Sequence, residues 1–225
     1  MSTLSSAPNS TAFQLTDLRL PIAFVTTAAV YMVLDAAGLR GPWMALLKIV
    51  PIAILALAAL RSLTGPTRTL TLVALAFSAL GDLLLALEFR NQFVFGLGAF
   101  LLAQLTYAGN FLRRADFRCR RTALRGLPVL IAAIVLAQWL LPAAGELAPA
   151  VLFYLLAIVA MALSAAAHRG DSTLLFAGAV TFMASDTLIA LNRFIEPLPL
   201  AGTAIMVTYY GAQIALLYGI GRARA

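Results

Sequence analysis

The chain has 225 residues, 62% of them hydrophobic and 11% charged, with a formal net charge of +7, and its mean hydropathy is +0.95. Soluble domains carry about a quarter charged residues, so this composition excludes a soluble globular protein and describes an all-α, polytopic membrane protein. The lone Cys119 excludes an internal disulfide and the lone His168 a multi-histidine metal site within one chain, and the basic balance does not imply nucleic acid, because the arginines sit between apolar stretches where they set orientation and meet anionic lipid.

Residues 1–18, rich in Ser, Thr and Asn without a cluster of positive charge, read as a disordered tail. The first apolar stretch, Leu20 to Gly38, is too long for a signal-peptide core and is expected to be retained. Spans of the length that crosses a bilayer follow at Pro42 to Leu60, Thr69 to Glu88, Phe93 to Leu112, Arg125 to Leu141, Leu147 to Ala167, Ser172 to Leu191 and Ala201 to Ile220. Gly41-Pro42, Gly65-Pro66, Pro142 with Gly145, Gly170, and Pro197 with Pro199 punctuate them. The expectation is one bundle of eight transmembrane helices over residues 19–221, with a short tail at 222–225.

Twelve arginines fall on the side of the N-terminus and three, Arg40, Arg90 and Arg193, on the other. The positive-inside rule then puts both termini in the cytoplasm. The basic loop from Arg113 to Arg125 reads as an orientation signal, with lipid-headgroup contact as the alternative. Arginine almost wholly replaces lysine and alanine is abundant, which suits a GC-rich bacterium and an inner-membrane location.

Two acidic residues stand inside spans. Gly81-Asp82-Leu83-Leu84-Leu85-Ala86-Leu87 is echoed about a hundred residues later by Ser185-Asp186-Thr187-Leu188-Ile189-Ala190-Leu191. An ionised carboxylate in hydrocarbon costs at least ~2.5 to 3.5 kcal/mol, so such a residue faces the protein interior and is functional by default. The echo hints at a four-plus-four internal repeat with parallel halves. Counted at 1.5 Å per residue from the outer helix ends, Asp82, Asp186, Lys48, Tyr154 and Tyr209 all lie roughly 9 to 10 Å deep and share one layer. Gln104 with Tyr107, and Tyr209 with Gln213, are helical neighbours on one face each.

Two readings of this layer stand side by side. In the structural one, Lys48, the tyrosines and Gln213 pair with the aspartates to fix helix register, or Lys48 snorkels outward. In the functional one, Asp82 and Asp186 share a pocket as general acid and base, one protonated and the other ionised. Asp35 reads as interfacial and His168 as a solvated residue at a helix end.

These residues resemble the YhhN/TMEM86 family: the segment from Ser78 through Asn110, Tyr154 with Met161, Gly178 to Phe194 with Ser185-Asp186, Thr208-Tyr209-Tyr210-Gly211-Ala212-Gln213, and Lys48 followed by Pro51. The resemblance implies a metal-independent, cofactor-free integral membrane lysoplasmalogenase. Such an enzyme hydrolyses the vinyl-ether bond of an alkenyl lysophospholipid to a fatty aldehyde and a glycerophospho-base. It further implies Asp82 and Asp186 as the catalytic pair, supported by Lys48, Gln104, Tyr107, Tyr154, Tyr209 and Gln213. Where a histidine is expected before Leu-x-Tyr, this chain has Gln104, which can hydrogen-bond but cannot shuttle a proton. The competing classes are a small lipid or metabolite carrier with proton-coupled carboxylates, favoured by the repeat, and an intramembrane aspartyl protease. The latter's motif is incomplete in Ala79-Leu80-Gly81-Asp82 and has no accompanying Pro-Ala-Leu.

Overall fold

A computed structural model describes residues 18–223, so all but the last residue of the expected N-terminal tail, and Arg224, lie outside the described residues. Among them there is no strand, and one isolated bridge pairs Ala115 with His168. The helices are α1 (Arg19–Ala36), α2 (Pro42–Ser62), α3 (Gly65–Ala86), α4 (Gln92–Leu112), α5 (Arg120–Ala144), α6 (Ala148–Ala167), α7 (Thr173–Phe194) and α8 (Ala201–Arg222), with a 3-10 turn at Gly145–Leu147 between α5 and α6. Seven helical segments are long and apolar enough to cross a membrane, the 48-residue run Arg120–Ala167 being counted as one. Large apolar side chains such as Val33, Leu46, Leu124, Trp139 and Phe153 point outward. An apolar surface of that extent suits a hydrocarbon solvent rather than water.

The helix ends depart from expectation where proline or arginine was read as loop. Helix α3 starts at Gly65 rather than Thr69, because Pro66 in the first turn lacks only an N–H that would have no partner there. Helix α5 begins at Arg120 rather than Arg125 and takes in Pro142, so half of the supposed basic loop is helix. The break comes instead at Gly145, whose φ of +54° glycine adopts without cost. The arginines at this end bind backbone and hydroxyl oxygens. Arg121 donates to the carbonyls of His168 and Gly170 (2.8 and 3.0 Å), and Arg125 to the hydroxyls of Ser172 and Thr173 (3.1 and 3.0 Å). The start of α5 is thereby tied to the link between α6 and α7.

His168 is not the solvated residue its position suggested. It is 6% exposed, its Nδ1–H donates to the Arg169 carbonyl at 2.6 Å, and its ring meets the face of Phe111 edge-on. Burial is the main cause holding its imidazole below the ordinary histidine range, with Arg114 and Arg121 adding to it against the Arg169 carbonyl. Asp35, in the last turn of α1, pairs with Arg40 at 2.9 Å.

The closest helix pairs are α3 with α4 and α7 with α8; α4 also packs on α6, α5 on α6, and α2 on α3. Glycine makes the α7–α8 approach possible. A Cβ on Gly219 would stand 2.5 Å from the Leu175 backbone, and one on Gly178 2.8 Å from the Leu216 amide nitrogen. Small residues let helix backbones touch in this way where no hydrophobic effect drives association. Replacing Gly219 with Ala should therefore cost about 1 to 3 kcal/mol by overpacking, read as a lowered thermal midpoint in detergent. Gly211→Ala on the same helix, with nothing within 4 Å of its Cβ, should leave the midpoint unchanged or raise it.

Candidate active site

The aspartate of α3 is closed in on every side. Asp82 is 2% exposed and forms an ion pair at 3.2 Å with Lys48 of α2 through Oδ1. Its Oδ2 accepts the Tyr209 hydroxyl of α8 at 2.7 Å. The string continues: Gln213 Nε2 donates to the Tyr209 oxygen (3.3 Å), and the Tyr107 hydroxyl of α4 donates to Gln213 Oε1 (2.9 Å). Lys48 therefore does not reach for the interface. Its backbone is held too, the Tyr210 hydroxyl donating to the Lys48 carbonyl at 2.7 Å. This lies beside the turn that Pro51 opens by lacking an N–H for the Leu47 carbonyl.

The aspartate of α7 has a different neighbourhood. Asp186 Oδ2 accepts both the Tyr154 hydroxyl of α6 and Gln104 Nε2 of α4, the latter at 3.3 Å. No cation pairs with it among the described residues. Gln104 Oε1, fully buried, has no hydrogen-bond partner. Asp186 also lines two apolar cavities. One, of about 40 Å³, is bounded by Leu85, Phe93, Leu97, Phe100, Tyr154 and Phe194 among others. The second, of similar size, lies on the other side of Tyr154 between α5, α6 and α7. A single water needs roughly 10 to 15 Å³ by the same measure, so each holds a few waters or a stretch of alkyl chain. Asp82 lines neither.

All eight residues singled out in the sequence thus occupy two hydrogen-bonded groups: Lys48, Asp82, Tyr209, Gln213 and Tyr107 in one, Asp186, Tyr154 and Gln104 in the other. No hydrogen bond joins the groups among the described residues. They meet through aromatic rings instead. Phe100 lies edge-on to Tyr209 at 5.8 Å and to Phe182 at 6.3 Å, while it also walls the cavity beside Asp186. Sequence reasoning overlooked Phe100 and Tyr210. Phe100 had a signal, since Gly81 leaves the space its ring fills: a Cβ there would lie 2.6 Å from the ring. Tyr210 sits next to Tyr209, and only the rotation of α8 decides which hydroxyl meets which partner.

The chemical capacities of the carboxylates differ accordingly. A carboxylate facing a lysine ammonium and a phenol has a donor engaged on each oxygen. A carboxyl group with donors crowded on one oxygen, no cation and a free oxygen near a cavity can carry a proton on that oxygen and hand it on. Among the described residues no three His, Cys, Asp or Glu side chains are grouped to hold a metal.

Comparison with known proteins agrees with the motif pattern. The model of the YhhN family matches residues 43–220. A protein of Mycobacterium bovis named lysoplasmalogenase is 36% identical over 74% of this chain and 66% of its own length, so the chain spans just under two thirds of that relative. Lysoplasmalogenase TMEM86A of Bos taurus is 32% identical over 87% of this chain and 85% of its own. The human TMEM86A is likewise 32% identical, over 86% and 85%. No solved structure matches the chain. With a family match over most of its length and relatives above 30% identity on both sides of the bacterial and animal divide, the chain belongs to the YhhN family.

Proposed function

We propose that this protein is a lysoplasmalogenase, an integral membrane hydrolase that cleaves the vinyl-ether bond of an alkenyl lysophospholipid, and that Asp186 is its proton donor. The observation that carries the reading is the unequal setting of two membrane-buried carboxylates. Asp82 is neutralised by Lys48 and sealed, whereas Asp186 has no cation and borders apolar cavities. The names of the mycobacterial and animal relatives support the substrate class. The chain crosses the bilayer eight times, with α5 and α6 as separate spans turned at Gly145, both termini in the cytoplasm and, for a bacterial protein, residence in the inner membrane.

In the reaction, Asp186 delivers its proton to the alkenyl carbon distal to the ether oxygen, giving an oxocarbenium ion. Water adds to the carbon bonded to oxygen while the Asp186 carboxylate takes the water's proton. The resulting hemiacetal collapses, the glycerol oxygen gaining a proton from Asp186 as the hemiacetal hydroxyl returns one to it. One water is consumed, and aldehyde and alcohol leave. Tyr154 and Gln104 fix Asp186 through one oxygen and leave the other for the substrate. Asp82, balanced by Lys48, takes no part in the proton transfers; it holds Tyr209, and through that ring the Phe100 wall of the cavity, in place.

A duplication accounts for the layout. Asp82 with Lys48 and Tyr209 corresponds to Asp186 with Tyr154 and Gln104, each pair about a hundred residues apart. Each aspartate takes one partner from its own half and one from the other: α2 and α8 serve Asp82 of α3, and α6 and α4 serve Asp186 of α7. The two sets differ at both partner positions, lysine against tyrosine and tyrosine against glutamine, and only the first changes the charge beside the carboxylate.

Asp186→Asn should lower aldehyde release from a lysoplasmalogen by about 10² to 10⁴-fold in purified, detergent-solubilised protein, unchanged by chelator. Undiminished turnover in that variant would remove Asp186 from the chemistry. Aspartate-dependent, proton-coupled uptake into vesicles without aldehyde would select the carrier instead. Lys48→Met should cost about 3 to 5 kcal/mol by leaving a buried carboxylate unpaired. The Lys48→Met/Asp82→Asn double variant should regain most of that, as measured by thermal unfolding.

A further inference from the structure

We infer that Arg193 recognises the phosphodiester of the substrate, holding it at the outer rim of the cavity whose wall carries Asp186. The inference rests on the hydrolase reading above and deepens it by assigning a headgroup site. Arg193 lies in the last turn of α7, seven residues beyond Asp186, hence about 10 Å further along the helix axis. Its guanidinium carbon stands 5.1 Å from the centroid of the Phe93 ring. Phe93 and Phe194 pack edge to face at 5.7 Å, and both line the cavity next to Asp186. The cation therefore caps the aromatic mouth of the pocket that the acid borders.

Its charge is uncommitted. Arg40, Arg169 and Arg222 each pair with an aspartate, namely Asp35, Asp116 and Asp171. No carboxylate lies within salt-bridge distance of Arg193 among the described residues. A guanidinium held near an aromatic ring keeps N–H donors at its edge, and a phosphate oxygen pair is the partner that fork fits. The rim beside it is fixed, since Asn192 Oδ1 accepts the Leu198 amide at 2.9 Å and folds the chain back after α7.

The spacing matches the ligand. From the protonated alkenyl carbon to phosphorus a lysoplasmalogen has seven bonds, on the order of 8 Å when extended at about 3.6 Å for every three bonds. With the reactive carbon at Asp186, the phosphate arrives one and a half turns up α7, within reach of an arginine side chain. The alkyl tail then points the other way, into the second cavity, between α5, α6 and α7.

Two substrates test this in the purified protein: an alkenyl glycerophosphoethanolamine, and the corresponding alkenyl glycerol, which has the same vinyl ether and no phosphate. Arg193→Gln should raise KM for the phospholipid about ten- to a hundredfold with kcat little changed, and should leave turnover of the alkenyl glycerol as it was. Arg193→Lys, which keeps the charge and loses the fork, should fall between. Equal loss on both substrates would make Arg193 a structural anchor of the rim and overturn the assignment, as would no loss on either. If the unaltered protein cleaves neither substrate, the hydrolase reading falls and takes this assignment with it; if it cleaves both and Arg193→Gln does not separate them, only the headgroup site falls.

Discussion

One buried charge sets the terms for the rest of the bundle. In hydrocarbon an aspartate has no water to solvate it, so other helices must supply its partners. For Asp82 these are an ammonium from α2 and a phenol from α8, and the phenol is aimed by a glutamine that is itself aimed by a tyrosine of α4. A buried ion pair repays its desolvation only with further hydrogen bonds of this kind. The rotation and height of four helices are therefore mutually fixed. Tyr209, held by this string, packs edge-on against Phe100 and Phe182, so the wall beside Asp186 inherits its position from a charge on the other side of the rings.

The parts of this arrangement that show in the sequence are those with a large energetic signature. Apolar runs of bilayer length and two carboxylates inside them are conspicuous because each would be heavily penalised anywhere else. Every polar residue picked out on that basis lies in one of the two bonded groups. What stays hidden is rotation about the helix axis. Helices that are apolar nearly all round carry little facial contrast, so nothing distinguishes Tyr209 from Tyr210, or tells that Asp82 takes the lysine while Asp186 takes Gln104. The helix ends were misread where punctuation is ambiguous: Pro66 opens α3, Pro142 sits within α5, and Arg120 to Arg125 form helix rather than loop. His168 was misplaced because a charged neighbour in sequence says little about burial behind Phe111.

On the duplication proposed above, the two halves began with equivalent carboxylates and diverged in the partners set against them, Lys48 and Tyr209 for Asp82, Tyr154 and Gln104 for Asp186. A lysine opposite Asp82 balances that carboxylate within an ion pair. A tyrosine opposite Asp186 donates a hydrogen bond without bringing a charge, which is the setting the proposed proton donor requires. On that reading the two carboxylates take different roles because their surroundings differ. The unpartnered oxygen of Gln104 belongs to the Asp186 group.

The dovetail of α7 on α8 also has a bearing on traffic. With Gly178 and Gly219 bringing the two backbones into contact, that flank of α7 is shut to anything as thick as an acyl chain, whereas the opposite flank meets α6 more loosely and has a cavity on either side of Tyr154. A lipid admitted there from the leaflet would be cut with its halves already facing different solvents. The oily fragment would drift back sideways among its own kind, and the water-loving fragment would escape over the rim.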